Sequence, residues 1–202
     1  KVAPSLRADS ILAFDRSWFE KLGSPESLEE YLTIVSGYLD VFAQNGCRVA
    51  DHALDDGWRF ELADYDTAAG LYAAGNYADV RLKSYILGYL ASQYASRGWV
   101  MLLHLGAQRF TSSRLRALAG SAGGYASIGS ACDIKSLCAF MDSQDRKGEL
   151  PKTVLFTLNP ADNAALATLT GSYSRDGVKG KVQFGPAWWY NDHLLGMTDH
   201  LE

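Results

Sequence analysis

One pattern recurs five times along the chain: a short apolar run that ends in polar, charged or aromatic residues. It appears as Lys1-Val-Ala-Pro-Ser-Leu-Arg7, Cys47-Arg-Val-Ala-Asp-His52, Val100-Met-Leu-Leu-His104, Lys152-Thr-Val-Leu-Phe-Thr-Leu-Asn159 and Lys181-Val-Gln-Phe-Gly-Pro-Ala-Trp-Trp189. The run at 100–103 is too continuous to face water on one side and too short to need a helix, so it reads as a buried strand of parallel type. Between the runs, apolar residues recur at helical spacing. Leu28, Tyr31, Leu32, Val35, Tyr38, Leu39 and Phe42 predict a helix over 27–45, with Asn45-Gly46 closing it. Leu82, Ile86, Leu90 and Tyr94 predict another over 79–97, ending at Gly98, and Ile134, Leu137, Phe140 and Met141 a third over 133–147. Strands alternating with helices predict an α/β fold with a parallel sheet, in which ligands bind beyond the carboxyl ends of the strands.

Composition narrows the function classes. With 202 residues, 48% of them hydrophobic, the chain can bury a sizeable core in one domain. A net charge of -4, without a basic run longer than two residues, leaves no footprint for nucleic acid or an anionic membrane. The apolar stretches fall short of a membrane span and no signal peptide is visible, so a cytoplasmic protein is expected. Cys47, Cys132 and Cys138 are odd in number and lack CxxC spacing, which predicts reduced, buried thiols.

Chemistry-bearing residues cluster after the runs. His104 closes the central one, and Arg109 follows in what reads as a loop. Taken alone, that stretch reads as a satisfied core histidine and a solvated arginine. The recurrence of such residues at the same end of five strands is what makes it a candidate site. A strand over 47–50 is predicted to deliver Asp51 and His52, and neighbours in an extended chain point to opposite faces. Asp162-Asn163 are predicted to cap a helix over 164–169. The stretch Gly120-Ser-Ala-Gly-Gly124 reads as a flexible loop, with no GxxxxGK[ST] or GxGxxG to make it a phosphate cradle. Residues 57–78 show no clear period and read as loop with short helices.

Several of these stretches carry a family likeness. His104-Leu-Gly-Ala-Gln-Arg109, Leu150-Pro-Lys-Thr153, Leu158-Asn-Pro160 with Asp162-Asn163, and Gly180-Lys-Val-Gln-Phe-Gly185 followed by Trp188-Trp189-Tyr190-Asn191-Asp192 closely resemble the uronate isomerase family. That family belongs to the amidohydrolase superfamily of (β/α)8 barrels, and the likeness runs from about Arg7 to Met197. The resemblance implies reversible aldose–ketose isomerisation of D-glucuronate to D-fructuronate and of D-galacturonate to D-tagaturonate, with a hexuronate as substrate and a divalent metal, usually zinc. It implies Arg7 and Arg109 as contacts to the sugar carboxylate, Trp188 and Trp189 as pocket walls, and His104 as the catalytic residue and nearest candidate metal ligand. Asp51, His52, Asn159 and Asp192 are implied as supporting or structural residues.

The sequence departs from the family pattern in places. Leu6 and Ala8 stand where the family usually has Trp and Pro around Arg7, and Phe110, Thr111 and Ser112 where it usually has three Asn. The His-x-His pair of the family's first strand and the Thr-Asp-Ser-Arg of its last are not found, and Thr198-Asp199-His200 follows the Trp pair too closely to serve as the latter. A whole (β/α)8 barrel takes about 250 residues. The expectation is therefore a partial TIM barrel, a single domain over 1–202 that resembles an internal fragment: the third to seventh strands without the first, second and eighth, with helical excursions at about 14–45 and 57–97. Such a chain is expected to hold metal weakly, to be inactive alone and to self-associate through open strand edges. The alternatives are a non-catalytic, oligomerising barrel fragment and a metal-dependent hydrolase of the same superfamily.

Overall fold

The computed structural model describes residues 2–120 and 125–201, so most of the glycine-rich stretch, 121–124, lies outside the described residues. In chain order the first elements are β1 (Leu6–Arg7), α1 (Asp9–Ala13), α2 (Arg16–Lys21), α3 (Leu28–Gln44), β2 (Val49–Leu54), α4 (Tyr65–Ala73) and α5 (Val80–Ser96). There follow β3 (Val100–Leu105), β4 (Ala107–Arg109), α6 (Ser113–Ala119), β5 (Ala126–Ile128), α7 (Ile134–Asp145) and β6 (Lys152–Thr157). A 3-10 turn (Pro160–Asp162), α8 (Asn163–Gly171), β7 (Val182–Phe184) and α9 (Leu194–Asp199) complete the series.

Five strands form one sheet in the order β1-β2-β3-β6-β7, and β4 and β5 pair separately as an antiparallel ribbon. Leu6 lies opposite Ala50 and Arg7 opposite Asp51 in a parallel pairing. Val100 N–H donates to Arg48 C=O at 2.8 Å and Gly106 N–H to Leu54 C=O at 3.0 Å, so β2 and β3 also run in the same sense. The expected barrel lacking three strands is thereby corrected: among the described residues there are seven strands and nine α-helices, five of the strands in one sheet and two in a ribbon of their own. Counting apolar runs missed the ribbon, because three-residue strands such as Ala107–Arg109 carry too little pattern to register.

Two compact units share the chain. The first comprises Lys1–His52, Arg59–Leu102 and Lys135–Thr153, and it holds most of the helices. Here α3 starts where Ser27 Oγ accepts the Glu30 N–H at 3.2 Å, while the Glu30 carboxylate accepts the Glu26 N–H at 2.8 Å. Ser27→Ala is expected to lower stability by about 1 kcal/mol, read as a lower urea midpoint at unchanged slope. Leu28, Tyr31, Leu32, Val35 and Leu39 are buried, whereas Tyr38 and Phe42 at the edge of the predicted stripe are only half-buried. Tyr31 and Tyr72 anchor a knot of rings with Phe14, Phe19 and Tyr77, donating to Ile11 C=O at 2.7 Å and Pro25 C=O at 2.8 Å. Burial holds both phenols well above the ordinary tyrosine value. Tyr94 of α5 stacks on Trp99 with ring centroids 5.8 Å apart, and Gly98 between them takes φ +65°, the left-handed turn that lets the helix pass directly into β3.

The second unit comprises Ala53–Trp58, Leu103–Ile134 and Val154–Glu202. It contains the carboxyl ends of β2, β3 and β6 and the segments that follow them. The burial of β3 alternates: Met101, Leu103 and Leu105 are buried, while Val100, Leu102 and His104 are half-buried. A strand buried on both faces was expected. One face is instead partly open, and His104 stands on it.

Candidate functional site

Ring stacking builds the site from β3, β6 and the turn after β7. His104 lies flat against Phe156 of β6, with centroids 4.8 Å apart and ring planes 16° from parallel. Its other neighbour is Trp188, at 4.3 Å and 47°. The chain passes close over Phe156 because position 185 is glycine: a Cβ there would sit 2.6 Å from Phe156 Cδ1 and 3.1 Å from Leu155 C=O. Trp189 stacks on Trp188 at 5.0 Å and 16°, and is 43% exposed. An aromatic wall thus leads from the half-buried imidazole out to solvent.

Arg109 closes the far end of that wall. Its guanidinium carbon lies 5.7 Å from the Trp189 ring centroid, and its Nε–H donates to both carboxylate oxygens of Asp55, at 2.9 and 2.8 Å. Arg109 was expected in a loop. It is the last residue of β4, paired with Ala126 across the ribbon. Gly106 causes the difference, since at φ +83° it turns the chain out of β3 and straight into β4.

Two non-glycine residues in the left-handed region, Phe110 at φ 58° and Tyr190 at φ 64°, follow Arg109 and Trp189 directly. Such conformations cost on the order of 1–3 kcal/mol each and persist where surrounding contacts over-determine them. Tyr190 is held by its hydroxyl, which donates to Ala126 C=O at 2.8 Å. Phe110 lies under the Arg116 guanidinium at 4.0 Å, and the next residue, Thr111, donates its N–H to Tyr125 C=O at 3.3 Å.

The other residues read from the sequence fall elsewhere. Asp51 and His52 lie inside β2, because that strand runs four residues past the predicted Ala50; His52 is fully buried, with its ring 5.6 Å from Tyr94. Arg7 belongs to the first unit, where its Nε–H donates to Asp9 at 2.9 Å and its side chain is 70% exposed. Asn159 caps the 3-10 turn by accepting the Ala161 N–H at 3.0 Å, and donates to Gly129 C=O at 3.3 Å. Asp192 is exposed in the turn after the tryptophans, while its neighbour Asn191 is buried and donates to Leu158 C=O at 2.8 Å. Asp162 makes no side-chain cap. Its carboxylate instead accepts the Cys132 N–H at 3.0 Å and the Thr157 hydroxyl at 3.3 Å. Burial, and after it the charge of Asp162, pushes the Cys132 thiol up to about 12.

The residues that follow β2, Asp55 and Asp56, received no role from sequence. The first holds Arg109. The second accepts the Ser130 N–H at 2.8 Å beside Gly129, where a Cβ would meet Asp56 Oδ1 at 2.6 Å and Gly106 C=O at 2.8 Å. Their only sequence signal is two consecutive carboxylates at a strand end. Among the described residues no three His, Cys, Asp or Glu gather as a metal site. The arrangement offers an apolar wall for the C–H face of a sugar, a guanidinium for a carboxylate, and an imidazole for a proton.

Comparison with known proteins decides the family. The glucuronate isomerase family model matches residues 1–202. The uronate isomerase of Caldicellulosiruptor saccharolyticus is 36% identical over 218 aligned residues, covering 100% of this chain and 47% of the relative, and that of Salmonella arizonae is 38% identical over 219, covering 100% and 46%. Uronate isomerase from Thermotoga maritima superposes with a TM-score of 0.84 at 23% identity over 98% of this chain and 46% of its own. Glucuronate isomerase from Caulobacter crescentus gives 0.82 at 21% identity, over 98% and 43%. At such identities the structures establish the fold. The chain spans about half the length of the curated relatives it matches. These findings overturn the expectation of an internal barrel fragment, since the likeness takes in every residue rather than the stretch from Arg7 to Met197 and the fold superposes over 98% of the chain. Matched from its first residue to its last, the chain belongs to the glucuronate isomerase family.

Proposed function

We propose that the chain carries the hexuronate site of an aldose–ketose isomerase that interconverts D-glucuronate with D-fructuronate and D-galacturonate with D-tagaturonate. The reaction is redox-neutral within one molecule. A proton leaves C2 and one is delivered to C1, and the O2 hydroxyl loses its proton while O1 gains one, so that the C1 aldehyde becomes a hydroxymethyl group while the C2 hydroxyl becomes a ketone. This needs a proton carrier and a grip on the carboxylate. In this proposal His104 carries the proton, Trp188 and Trp189 wall the sugar, and Arg109 holds the acid. The observation that carries the reading is the guanidinium of Arg109, tied through Nε and placed at Trp189, at the open end of the wall that begins at His104.

A divalent metal, zinc foremost, belongs to the proposal as a polariser of the carbonyl, with His104 the nearest ligand in this chain. The described residues supply no set of three ligands around it. The partner proposed is the hexuronate, not nucleic acid, with self-association through the outer strands β1 and β7. No helix among the described residues is long and apolar enough to cross a membrane. The three cysteines are free, which accords with a cytoplasmic setting.

Calorimetric titration with D-glucuronate, D-galacturonate and neutral D-glucose tests the reading. Saturable binding of the acids over glucose is expected, and Arg109→Ala is expected to weaken it about ten- to hundredfold, the worth of a charge-assisted hydrogen-bonded pair. Equal binding of acids and glucose, or indifference to Arg109→Ala, sinks it.

A further inference from the structure

We infer that Asp55 is the positioning residue behind the preference for an acidic sugar: it orients Arg109 without touching the substrate. The inference rests on the hexuronate reading above. Both oxygens of Asp55 are spent on one atom, Arg109 Nε, at 2.9 and 2.8 Å. The described residues give the terminal Nη1 and Nη2 groups no acceptor, which leaves them for two parallel hydrogen bonds to a carboxylate. A guanidinium on a flexible stem binds such a ligand weakly, because its rotamers must be frozen at the moment of binding. Tied at Nε and placed at Trp189, it is already ordered.

Asp55 is itself held fast. Its neighbour Asp56 accepts the Ser130 N–H at 2.8 Å and donates its own N–H to Ala107 C=O at 3.0 Å, while Gly129 N–H donates to Gly106 C=O at 2.9 Å. Two consecutive carboxylates therefore grasp the ribbon at both strands, Asp55 at Arg109 in β4 and Asp56 just beyond β5. The Arg109 and Asp55 side chains are 28% and 41% exposed, so the pair adds little to folding stability, and its geometry is what Asp55 supplies.

The test uses the 202-residue chain and the variants Asp55→Asn, Asp55→Ala, Asp55→Glu, Arg109→Ala and the Asp55→Ala/Arg109→Ala double. In proton–nitrogen NMR spectra the Arg109 Nε–H signal, identified by its loss in Arg109→Ala, is expected to be downfield and slow to exchange, and to lose both properties in Asp55→Asn and Asp55→Ala. In titrations with D-glucuronate those two variants are expected to bind about tenfold more weakly. Asp55→Glu is expected to recover part of the loss, D-glucose to be unaffected, and the double variant to bind no more weakly than Arg109→Ala. Wild-type affinity in Asp55→Asn, with Arg109→Ala weakened, overturns the role of Asp55 and leaves the carboxylate clamp standing. A double variant weaker than Arg109→Ala overturns it too, since Asp55 then acts apart from Arg109. Indifference of the acid to Arg109→Ala removes both readings together. The near-isosteric Asp55→Asn, checked by circular dichroism, separates loss of orientation from loss of fold.

Discussion

Replacing His104 with alanine is expected to lower ketouronate formation from D-glucuronate by about 10²- to 10⁴-fold, the usual contribution of a positioned proton carrier. The same change is expected to alter D-glucuronate affinity much less than Arg109→Ala does. The imidazole is confined between Phe156 at 4.8 Å and Trp188 at 4.3 Å, so its ring plane is set before any ligand arrives. A proton carrier gains from such confinement, because the reacting atoms must meet within a narrow range of distance and angle. His104→Gln keeps a polar side chain of similar length but cannot shuttle a proton, and should be as inactive as the alanine variant. Deuterium exchange at C2 in heavy water reads the first half of the reaction alone and should vanish with turnover in both. Near wild-type exchange in His104→Gln would return His104 to the status of a packing residue.

The second large effect is expected at Gly196, on stability. A Cβ there would fall 2.9 Å from the carbonyl carbon of Asn191 and 3.0 Å from its Cα, and closer still to the carbonyl oxygen. Backbone cannot swing aside as a side chain can. Gly196→Ala must therefore push α9 away from the turn that carries Trp188 and Trp189, straining the buried bond from Asn191 Nδ2 to Leu158 C=O. Overpacking of this kind costs about 1–3 kcal/mol and occasionally more. In a domain of this size each kcal/mol lowers Tm by about 2–4 °C. Differential scanning calorimetry should show the loss, accompanied by a red shift of tryptophan fluorescence as the pair becomes wetter. An unchanged Tm and spectrum would mean that α9 is free to move without consequence for the turn.

The helices were legible because their signals are local. The stripe of α3 and its stop at Asn45 lie within one stretch of sequence, and the structure places the helix boundaries within a residue of the prediction. The α/β alternation was legible for the same reason. Strand ends were less so: β2 extends to Leu54, four residues past the predicted Ala50, and the histidine within it is buried. An apolar–polar boundary marks where a strand stops being buried on one face, and that need not be where it stops. The ribbon was illegible because Ala107–Arg109 and Ala126–Ile128 make sense only when paired with each other. The ribbon also undid the barrel count, since strands outside the main sheet do not fit a template numbered by barrel position. Of the candidate site, His104, Arg109 and the two tryptophans were singled out by their place after strand-like runs together with the family likeness. Asp55 was not, because its importance lies in a partner 54 positions away.

That separation also bears on the order in which the molecule assembles. The caps of α3 and α5 join residues three and two positions apart, so they close the smallest loops and form early. The bond from Arg109 to Asp55 spans 54 positions, that from Ser130 to Asp56 spans 74, and Trp188 must return to a histidine laid down far earlier in the chain. Each closes a long loop, at an entropic cost that only a nearly finished sheet offsets. During synthesis the imidazole of His104 therefore waits, uncovered on one side, until the tryptophans leave the ribosome. A nascent chain stalled before position 188 would lack the indole that packs against His104.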